Sequence, residues 1–435
     1  MSGVRESPMG LALDPVRGEL SARAGERWEI FGKRAAAAEL RVAAPIREES
    51  ERVEDGCAAR WEEKGQAHFA AATSPALLVD VIRETARFGP GGPEPLPALP
   101  TGTFAQPADP SAAPPADAFE QVAQLLASES KGQARLTSLS VACGEIVERI
   151  ENGAGFAGGR TRLFGYGNAR AVGVASERRV TADVVFPVGP AGAFDAAKVA
   201  QSLADRSLLP LKGRACPYPR GELLLDPSVS AALLAATLPL FCGDAHRMLL
   251  SRRYLDRNGR FSAEGVSLVD DPSGEGPFDG EGVPVRRKEV VSEGVFRTRL
   301  HDLGSSARAG ESPTGNAVRP SFRLPPRPGS ALFTLDGKRS ATATELLASV
   351  TRGLYATALA APPRIDLEND AYRLEVEGWA LQAGRVRSPV AAATIRGRLS
   401  ELWKGIGGVG TDRRIFPLQS LVSAPTLFVT KATFS

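Results

Sequence analysis

Histidine is the residue type that most directly suggests metal chemistry, and it occurs only three times in this chain, as His68, His246 and His301. Zinc enzymes usually hold the metal with three protein ligands, two of which often come from one helix in an HExxH-like pattern. Neither HExxH nor HExxxH occurs in the sequence. His246 follows Asp244 by two residues, which leaves an Asp-x-His pair available. We interpret His246 as an ordinary surface or half-buried histidine.

A second candidate is an acidic segment in the C-terminal half of the chain. Carboxylate oxygens are the ligands that hard cations such as Ca²⁺ prefer. Glycine and proline interrupt this segment throughout, and no EF-hand-like spacing would bring several oxygens onto one ion. We therefore predict a structural or cavity-shaping loop whose aspartates accept hydrogen bonds from loop amides, and no metal site. The acidic residues are Asp270, Asp271, Glu275, Asp279 and Glu281.

Two further patterns are too incomplete to predict catalysis. The serines of Gly304-Ser305-Ser306 lack a GxSxG elbow, and the only histidine near them is His301. The glycine-rich stretch at 405–410 follows a predicted helix instead of opening one, and it lacks a Walker lysine. We interpret this stretch as a loop or helix C-cap. The residues alone thus predict no catalytic constellation.

The overall composition favours none of the large charged partners. The 53 basic and 50 acidic residues give a formal charge of +3 and are mixed along the chain, so we expect neither nucleic acid nor an anionic membrane as partner. The four cysteines form no CxxC pair, which is typical of a reducing compartment. No apolar signal region is visible in residues 1–19, and no run approaches the length of a membrane span. We therefore expect a cytoplasmic location.

The helices and strands that must position any site fall into regions with two boundaries along the chain. Residues 20–88 predict a small α/β domain that contains a hairpin at Cys57–Ala70, turning near Lys64-Gly65. The linker at 89–116 follows, and its stretch 89–115 holds nine prolines in 27 residues. Because proline fixes φ and removes a donor, we expect neither a helix nor a strand there, and the linker should be exposed and semi-rigid.

The rest of the chain predicts a central region and a larger β-rich domain. Residues 117–212 form the central α/β region, in which we expect two strands around a turn at Gly165–Asn168. Residues 219–435 predict a strand and a helix opening at Pro227, followed by hairpins that turn at Ser292–Gly294 and Gln382–Gly384. The predicted fold class is α+β.

Short motifs recur in a fixed order through the C-terminal half of the chain. They are SLVDDP at 267–272, FDGEGVP at 278–284, EVVSEGV at 289–295, SAR at 306–308, TGNAVR at 314–319, GLY at 353–355, SPV at 388–390, IRG at 395–397, VGTD at 409–412 and APTL at 424–427. Each motif is weak alone, but their order and spacing closely resemble the TldD/PmbA family, also described as gyrase-modulator proteins or TldD/TldE zinc peptidases. The N-terminal half agrees more loosely.

The resemblance implies a peptidase of two subunits that acts in a cavity between them. In this family the TldD-type subunit carries an HExxxH helix, and a cysteine near its C-terminus is the third zinc ligand. The PmbA/TldE-type subunit lacks the metal and completes the cavity. Such pairs process small or unfolded peptides, including modified natural-product precursors.

This chain departs from the peptidase pattern at the zinc helix. When the family's Gly-Asp is placed on Gly243-Asp244, Leu234 falls on the first histidine, Ala235 on the glutamate and Pro239 on the second histidine. Leucine and proline cannot ligate zinc, and alanine cannot act as a general base. Proline would also disturb a regular metal-bearing helix.

The ligands are missing under any alignment. No histidine lies between His68 and His246, and no cysteine follows Cys242. The resemblance is therefore closest to the metal-free PmbA/TldE-type subunit, with no cofactor in this chain and zinc expected in a TldD-type partner.

Three hypotheses follow for the function. The leading one is a non-catalytic subunit that pairs with a TldD-type zinc peptidase and helps to shape the peptide chamber. The second is a stand-alone homodimer that binds a peptide without cleaving it. The third is an enzyme with a repurposed site that uses His246, Asp244 and the acidic loop. The residues expected to shape the cavity are Asp270, Asp271, Asp279, Glu281, Asn316 and Arg319.

Overall fold

Most of the chain is described by the structure, which is a computed structural model. It describes residues 13–89, 95–105, 113–189, 192–244, 259–274, 276–338 and 340–435. The predicted candidates His246 and Glu275 lie outside the described residues, as do parts of the predicted linker, residues 90–94 and 106–112.

Eight α-helices occur in the described residues. They are α1 (Asp14–Ala24), α2 (Pro75–Phe88), α3 (Ala118–Glu129), α4 (Ala196–Lys212), α5 (Pro227–Thr237), α6 (Leu303–Ala309), α7 (Ala343–Ser349) and α8 (Leu399–Lys404). None of them is both long enough and apolar enough to span a membrane.

The first half of the chain builds one seven-stranded sheet. Its strands are β1 (Trp28–Ala43), β2 (Ile46–Glu63), β3 (Gln66–Ala72), β4 (Gly102–Ala105), β5 (Ala134–Asn152), β6 (Phe156–Ala175) and β7 (Arg178–Pro187). The order across the sheet is β3-β2-β1-β5-β6-β4, and β7 also pairs with β6. Helices α1 and α2 pack on one end of the sheet, and α3 and α4 pack on the other end.

The predicted hairpin at Cys57–Ala70 is confirmed. Strands β2 and β3 pair from Cys57 to Ala72, and the turn falls at Lys64 and Gly65, both of which have positive φ. Helix α2 then begins where Ser74 accepts a hydrogen bond from the amide of Leu77.

The predicted turn at Gly165–Asn168 is wrong, because β6 runs through these residues without a break. The glycines are needed for close packing and not for a turn. A Cβ at Gly167 would lie 2.1 Å from Cζ of Phe186, and one at Gly165 would lie 2.3 Å from the carbonyl oxygen of Val188.

The expectation that no strand forms in the proline-rich stretch is also wrong. Strand β4 lies within it and pairs in parallel with Phe156–Gly159 at the start of β6. Nearby Leu96 is buried, and the amide of Asn152 donates to the carbonyl oxygen of Pro100 at 2.8 Å. The four residues of β4 contain no proline, so they can pair at a sheet edge although prolines occur on both sides.

Segments that the sequence places in different regions share this sheet. Strand β1, from the predicted domain at 20–88, lies between β2 and β5, and β5 belongs to the predicted central region at 117–212. The boundaries of the domains stay predictions, but the strand pairing joins these two segments into one layer.

The second half of the chain is rich in short strands, and the α+β fold class is as predicted. The strands are β8 (Arg214–Ala215), β9 (Arg220–Leu225), β10 (Val266–Asp270), β11 (Lys288–Ser292), β12 (Val295–Phe296), β13 (Ala317–Val318), β14 (Arg327–Pro328), β15 (Leu332–Gly337), β16 (Ser340–Ala341), β17 (Arg352–Leu359), β18 (Arg364–Asp366), β19 (Ala371–Gln382), β20 (Arg385–Arg398), β21 (Ile406–Gly410), β22 (Arg414–Pro417), β23 (Leu421–Ala424) and β24 (Leu427–Thr433).

These strands form two principal sheets around the largest hydrophobic core. A six-stranded sheet has the order β12-β11-β10-β15-β23-β22, and a nine-stranded sheet has the order β16-β21-β24-β9-β17-β19-β20-β8, with β18 beside β19. Helix α5 packs between them. The predicted hairpins at Ser292–Gly294 and Gln382–Gly384 are confirmed as β11–β12 and β19–β20.

The glycine-rich stretch at 405–410 begins as the expected helix C-cap, because Gly405 caps α8, but the rest of it is not the loop that we expected. Residues 406–410 form β21, which pairs with β24 and with β16. A Cβ at Gly408 would lie 2.7 Å from a methyl group of Leu346, so close packing is again the reason for the glycine.

Candidate functional site

Helix α5 contains Leu234 and Ala235, two of the three positions that the resemblance aligns with the zinc motif. Asp226 caps it by accepting hydrogen bonds from the amide and hydroxyl of Ser228 at 3.0 and 2.8 Å, and Pro227 occupies the first turn. The helix ends at Thr237 and continues as a short 3₁₀ turn at Leu238–Phe241.

The three zinc-motif positions offer no donor atoms. Leu234 is fully buried in the C-terminal core, Ala235 packs against that core, and Pro239 is exposed in the 3₁₀ turn beyond the end of α5. Their side chains contain only carbon and hydrogen, so these positions do not fit a zinc ion. Within the described ranges, no group of three histidine, cysteine or acidic residues is arranged to hold a metal.

The structure places Gly243, the residue before Asp244, against a buried histidine that the sequence did not connect with it. Asp244 is exposed and accepts a hydrogen bond from Arg308 at 2.9 Å. A Cβ at the preceding Gly243 would lie 2.5 Å from both Nδ1 of His301 and Oγ of Ser305, so only glycine allows the chain to pass there.

Ser305 and His301 are close, but their arrangement is that of a helix cap. The Ser305 Oγ lies 3.1 Å from His301 Nδ1 and accepts from the amide of Asp302 at 3.2 Å. The Asp302 carboxylate accepts in return from the Ser305 amide at 2.7 Å, which completes a capping box at α6. Since Ser305 is buried, a substrate has no direct access to its hydroxyl.

Asp270 is a buried hydrogen-bond centre. Its carboxylate accepts from the Lys288 ammonium at 2.7 Å, the Asn316 amide at 2.9 Å and the Ser330 hydroxyl at 2.5 Å. Asn316 donates a second hydrogen bond, at 2.9 Å, to the carbonyl oxygen of Gly329. Two of the predicted cavity-shaping residues therefore fix the ends of β10 and β13 to each other.

Asp279 organises the loop that contains it. One carboxylate oxygen accepts from the amides of Glu281 and Val283 at 2.9 and 3.0 Å, and the other accepts from the amide of Ala317 at 2.8 Å. Burial raises the pKa of Asp279 to about 6, against the effect of these three amides.

Glu281 links the loop to the N-terminal sheet. Its Oε2 accepts from the amide of Leu303 at 2.7 Å, and its Oε1 forms an ion pair with Arg60 of β2 at 2.8 Å. Burial raises the pKa of Glu281 to about 7, with Arg60 opposing this effect and the nearby Asp279 and Glu29 adding to it.

Arg319 completes a group that we call the buried charge cluster, formed by Glu29, Arg60, Glu281 and Arg319. Arg60 pairs with Glu29 at 2.8 Å, and Arg319 also pairs with Glu29. The Arg319 guanidinium donates to the carbonyl oxygen of Gly280 at 2.6 Å. Two carboxylates and two guanidiniums therefore balance one another between the two halves of the chain.

Sequence reasoning missed the N-terminal members of this cluster. Glu29 lies within the apolar run Trp28–Phe31, and a charge in such a run is a signal that it needs a buried partner. The sequence gives no indication that the partners are Arg60 and Arg319, because they lie 31 and 290 residues away.

Asp271 differs from the other predicted cavity-shaping residues. It is half-buried and accepts from the amide and hydroxyl of Ser273 at 3.0 and 2.5 Å, and these hydrogen bonds hold its pKa below the ordinary value. It lies on the opposite face of the six-stranded sheet from Asp270. The cavity-shaping role itself stays a prediction for all six residues.

Comparison with known proteins finds similarity to one family. The family model described as the PmbA/TldA metallopeptidase C-terminal domain matches residues 220–435. A metalloprotease from Methanothermobacter thermautotrophicus is 23% identical over 228 residues, which cover 51% of this chain and 49% of that protein. A metalloprotease TldD homologue from Haemophilus influenzae is 26% identical over 187 residues, or 38% of each chain.

The structural similarity extends beyond residues 220–435, which the family model matches. The crystal structure of TldE from Thermococcus kodakarensis superposes with a TM-score of 0.82 and covers 97% of this chain and 99% of that one, at 16% sequence identity. The matches to these curated relatives span only about half of the relatives' length or less. On its C-terminal domain, its relatives and its fold, the chain belongs to the TldD/PmbA family.

Proposed function

We propose that this chain is a non-catalytic, TldE-like subunit of a TldD-type zinc metallopeptidase complex that processes small or unfolded peptides. The observation that carries the proposal is helix α5. By the resemblance, two of the three zinc-motif positions fall on this helix: Leu234 faces the hydrophobic core and Ala235 packs against it, while the third position, Pro239, lies in the 3₁₀ turn that follows.

The chemistry would then come from the partner subunit. A zinc peptidase needs a metal-bound water and a general base, and α5 supplies neither ligands nor base. A TldD-type partner would bring the zinc, and this chain would contribute walls of the peptide chamber. We propose a cytoplasmic location for the complex.

An open strand edge supports a role in holding peptide. Residues 46–56 of β2 pair with β1 on one side, whereas β3 pairs only with residues 57–63. Among the described residues, no strand covers the outer edge of 46–56. An extended peptide can add to such an edge through main-chain hydrogen bonds, which makes binding tolerant of peptide sequence.

Co-expression with the TldD-type subunit of the same organism tests the proposal. The chain alone should contain no stoichiometric zinc by elemental analysis and should not cleave an unstructured peptide. The co-purified pair should contain about one zinc and cleave the peptide in a chelator-sensitive manner. A pair whose zinc-binding subunit lacks the HExxxH glutamate is the control, and it should assemble without cleaving.

Two outcomes would contradict the proposal. Zinc at about one ion per chain together with chelator-sensitive cleavage by the chain alone would show an enzyme with its own site. Failure to associate with the zinc subunit, combined with a stable homodimer that binds peptide, would favour the stand-alone binder.

A further inference from the structure

A cavity lies on the six-stranded sheet, away from the C-terminal core. Alternate residues of the sheet, such as Leu268, Phe333 and Val422, face that core, so their neighbours along each strand face the other way. The cavity on this other face has a volume of about 390 Å³, within the range of small-molecule sites. It is lined by Val269, Asp271, Arg287, Leu332, Thr334, Asp336, Arg413, Ile415 and Ser423.

Two hydroxyl groups form part of its floor. Thr334 is 6% exposed and Ser423 is 3% exposed. They are direct partners on the parallel strands β15 and β23, which places their backbones about 5 Å apart. Within the described ranges neither hydroxyl has a hydrogen-bond partner. Since no hydrogen bond within the described residues uses either hydroxyl, both can donate to or accept from a polar ligand in the cavity.

The charged groups of the wall are not all paired with one another. Arg413 and Asp336 form an ion pair at 2.7 Å. Arg287 has no hydrogen bond or ion pair within the described ranges, and Asp271 accepts only from Ser273. The wall therefore offers one guanidinium and one carboxylate, both accessible from the cavity.

We propose that this cavity binds a small zwitterion of the amino-acid or dipeptide class. The Arg287 guanidinium and the hydroxyls of Thr334 and Ser423 would hold the ligand carboxylate, since a guanidinium recognises a carboxylate through paired donors. Asp271 would accept from the ligand ammonium. The site lies in this chain alone, so it goes beyond the proposed partnership and does not depend on it.

Titration calorimetry on the full chain tests the site with three probes: L-alanine, L-alanyl-L-alanine and L-alanyl-L-alanine amide. At least one of the first two should bind, and the tighter of them identifies the ligand as an amino acid or a dipeptide. The amide lacks the carboxylate and should bind at least about tenfold more weakly than the free dipeptide.

Neighbouring arginines provide a matched pair of variants. Arg287→Gln should weaken binding of the tighter probe by about tenfold or more, whereas Arg286→Gln should leave it unchanged, because Arg286 is exposed and does not line the cavity. Ser423→Ala should weaken binding by a smaller factor. The site would be refuted if neither zwitterion bound, if the amide bound as well as the free dipeptide, or if the two arginine variants behaved alike.

Discussion

At the scale of single residues, one arginine supports two buried carboxylates whose pKa values move in opposite directions. Burial alone would raise the pKa of Glu29, but Arg319 and Arg60 together hold it below the ordinary value. Burial dominates at Glu281, and its pKa rises: Arg60 is the cation that pairs with it directly, and the nearby Asp279 adds to the rise. The number of guanidinium groups paired directly with each carboxylate decides whether its pKa is lowered or raised.

The raised pKa of Glu281 predicts how stability depends on pH. A group that holds its proton more tightly in the folded state gives its full stabilisation below its unfolded pKa, here about 4.5, and loses it as pH rises to about 7. The melting temperature of the wild type should therefore fall by a few degrees across this window. Glu281→Gln carries no titrating proton and should show a flatter profile.

The control is Glu293→Gln, which changes an exposed glutamate that pairs with Lys338. Thermal melts at several pH values should give this variant the slope of the wild type. Parallel profiles for Glu281→Gln and the wild type would show that Glu281 does not titrate in this window.

Individual site residues were predictable only in part. The acidic loop and TGNAVR motifs indicate Asp279, Glu281 and Arg319, and the glycine-rich spacing indicates hydrogen bonds to loop amides. The N-terminal partners were not predictable, because periodicity describes the neighbours of a residue along one element. A contact between residues 29 and 319 depends on how two distant segments pack.

At the scale of elements, prediction succeeded where the signal is local. The helix start at Pro227 and the positive-φ residues at 64–65 and 383–384 are all set by nearby residues. It failed for β4, β6 and β21, where a partner strand or a packed side chain decides the conformation. The glycines at 165 and 167 in β6 were interpreted as turn residues, although there they allow Val188 and Phe186 to pack close to the strand.

Helix α5 provides a test of whether Leu234, the position that the resemblance aligns with the first zinc-motif histidine, is packed in the core. Leu234→Ala should lower the free energy of unfolding by about 2–5 kcal/mol, because Leu234 is fully buried and its loss leaves a cavity. Leu77→Ala in α2 is the matched control, since Leu77 is 53% exposed and should change stability by less than about 0.5 kcal/mol. Urea unfolding measures both. Equal effects would mean that position 234 is not packed as described.

At the scale of the whole molecule, buried charge joins the N-terminal sheet to the C-terminal half. Besides the buried charge cluster, Arg160 of β6 pairs with Glu148 at 2.7 Å and donates to the carbonyl oxygen of Phe278 at 2.5 Å. The Phe278 ring packs with Phe31, Ile150, Phe156 and Phe322 in a small core shared by both halves. These contacts predict that the two halves unfold together.

The same strand carries both a buried and an exposed arginine pair, so the coupling can be tested with one kind of substitution. Arg160→Met removes the closest cation from fully buried Glu148, whose pKa Arg160 and Arg162 lower to about 2 against the effect of burial. Breaking such a pair costs about 3–5 kcal/mol, because it leaves a buried charge with fewer partners. Since Arg160 also contacts Phe278, calorimetry should show one transition for the wild type and a lower, split transition for this variant.

Arg170→Met is the control, because Arg170 pairs with Asp183 at 2.8 Å while both side chains are about half exposed. Exposed pairs are solvated and contribute little, so its melting curve should match that of the wild type. Two transitions in the wild type, or identical curves for the two variants, would mean that the buried pair does not couple the halves. A lower but single transition for Arg160→Met would assign to Arg160 a role in stability without a role in coupling.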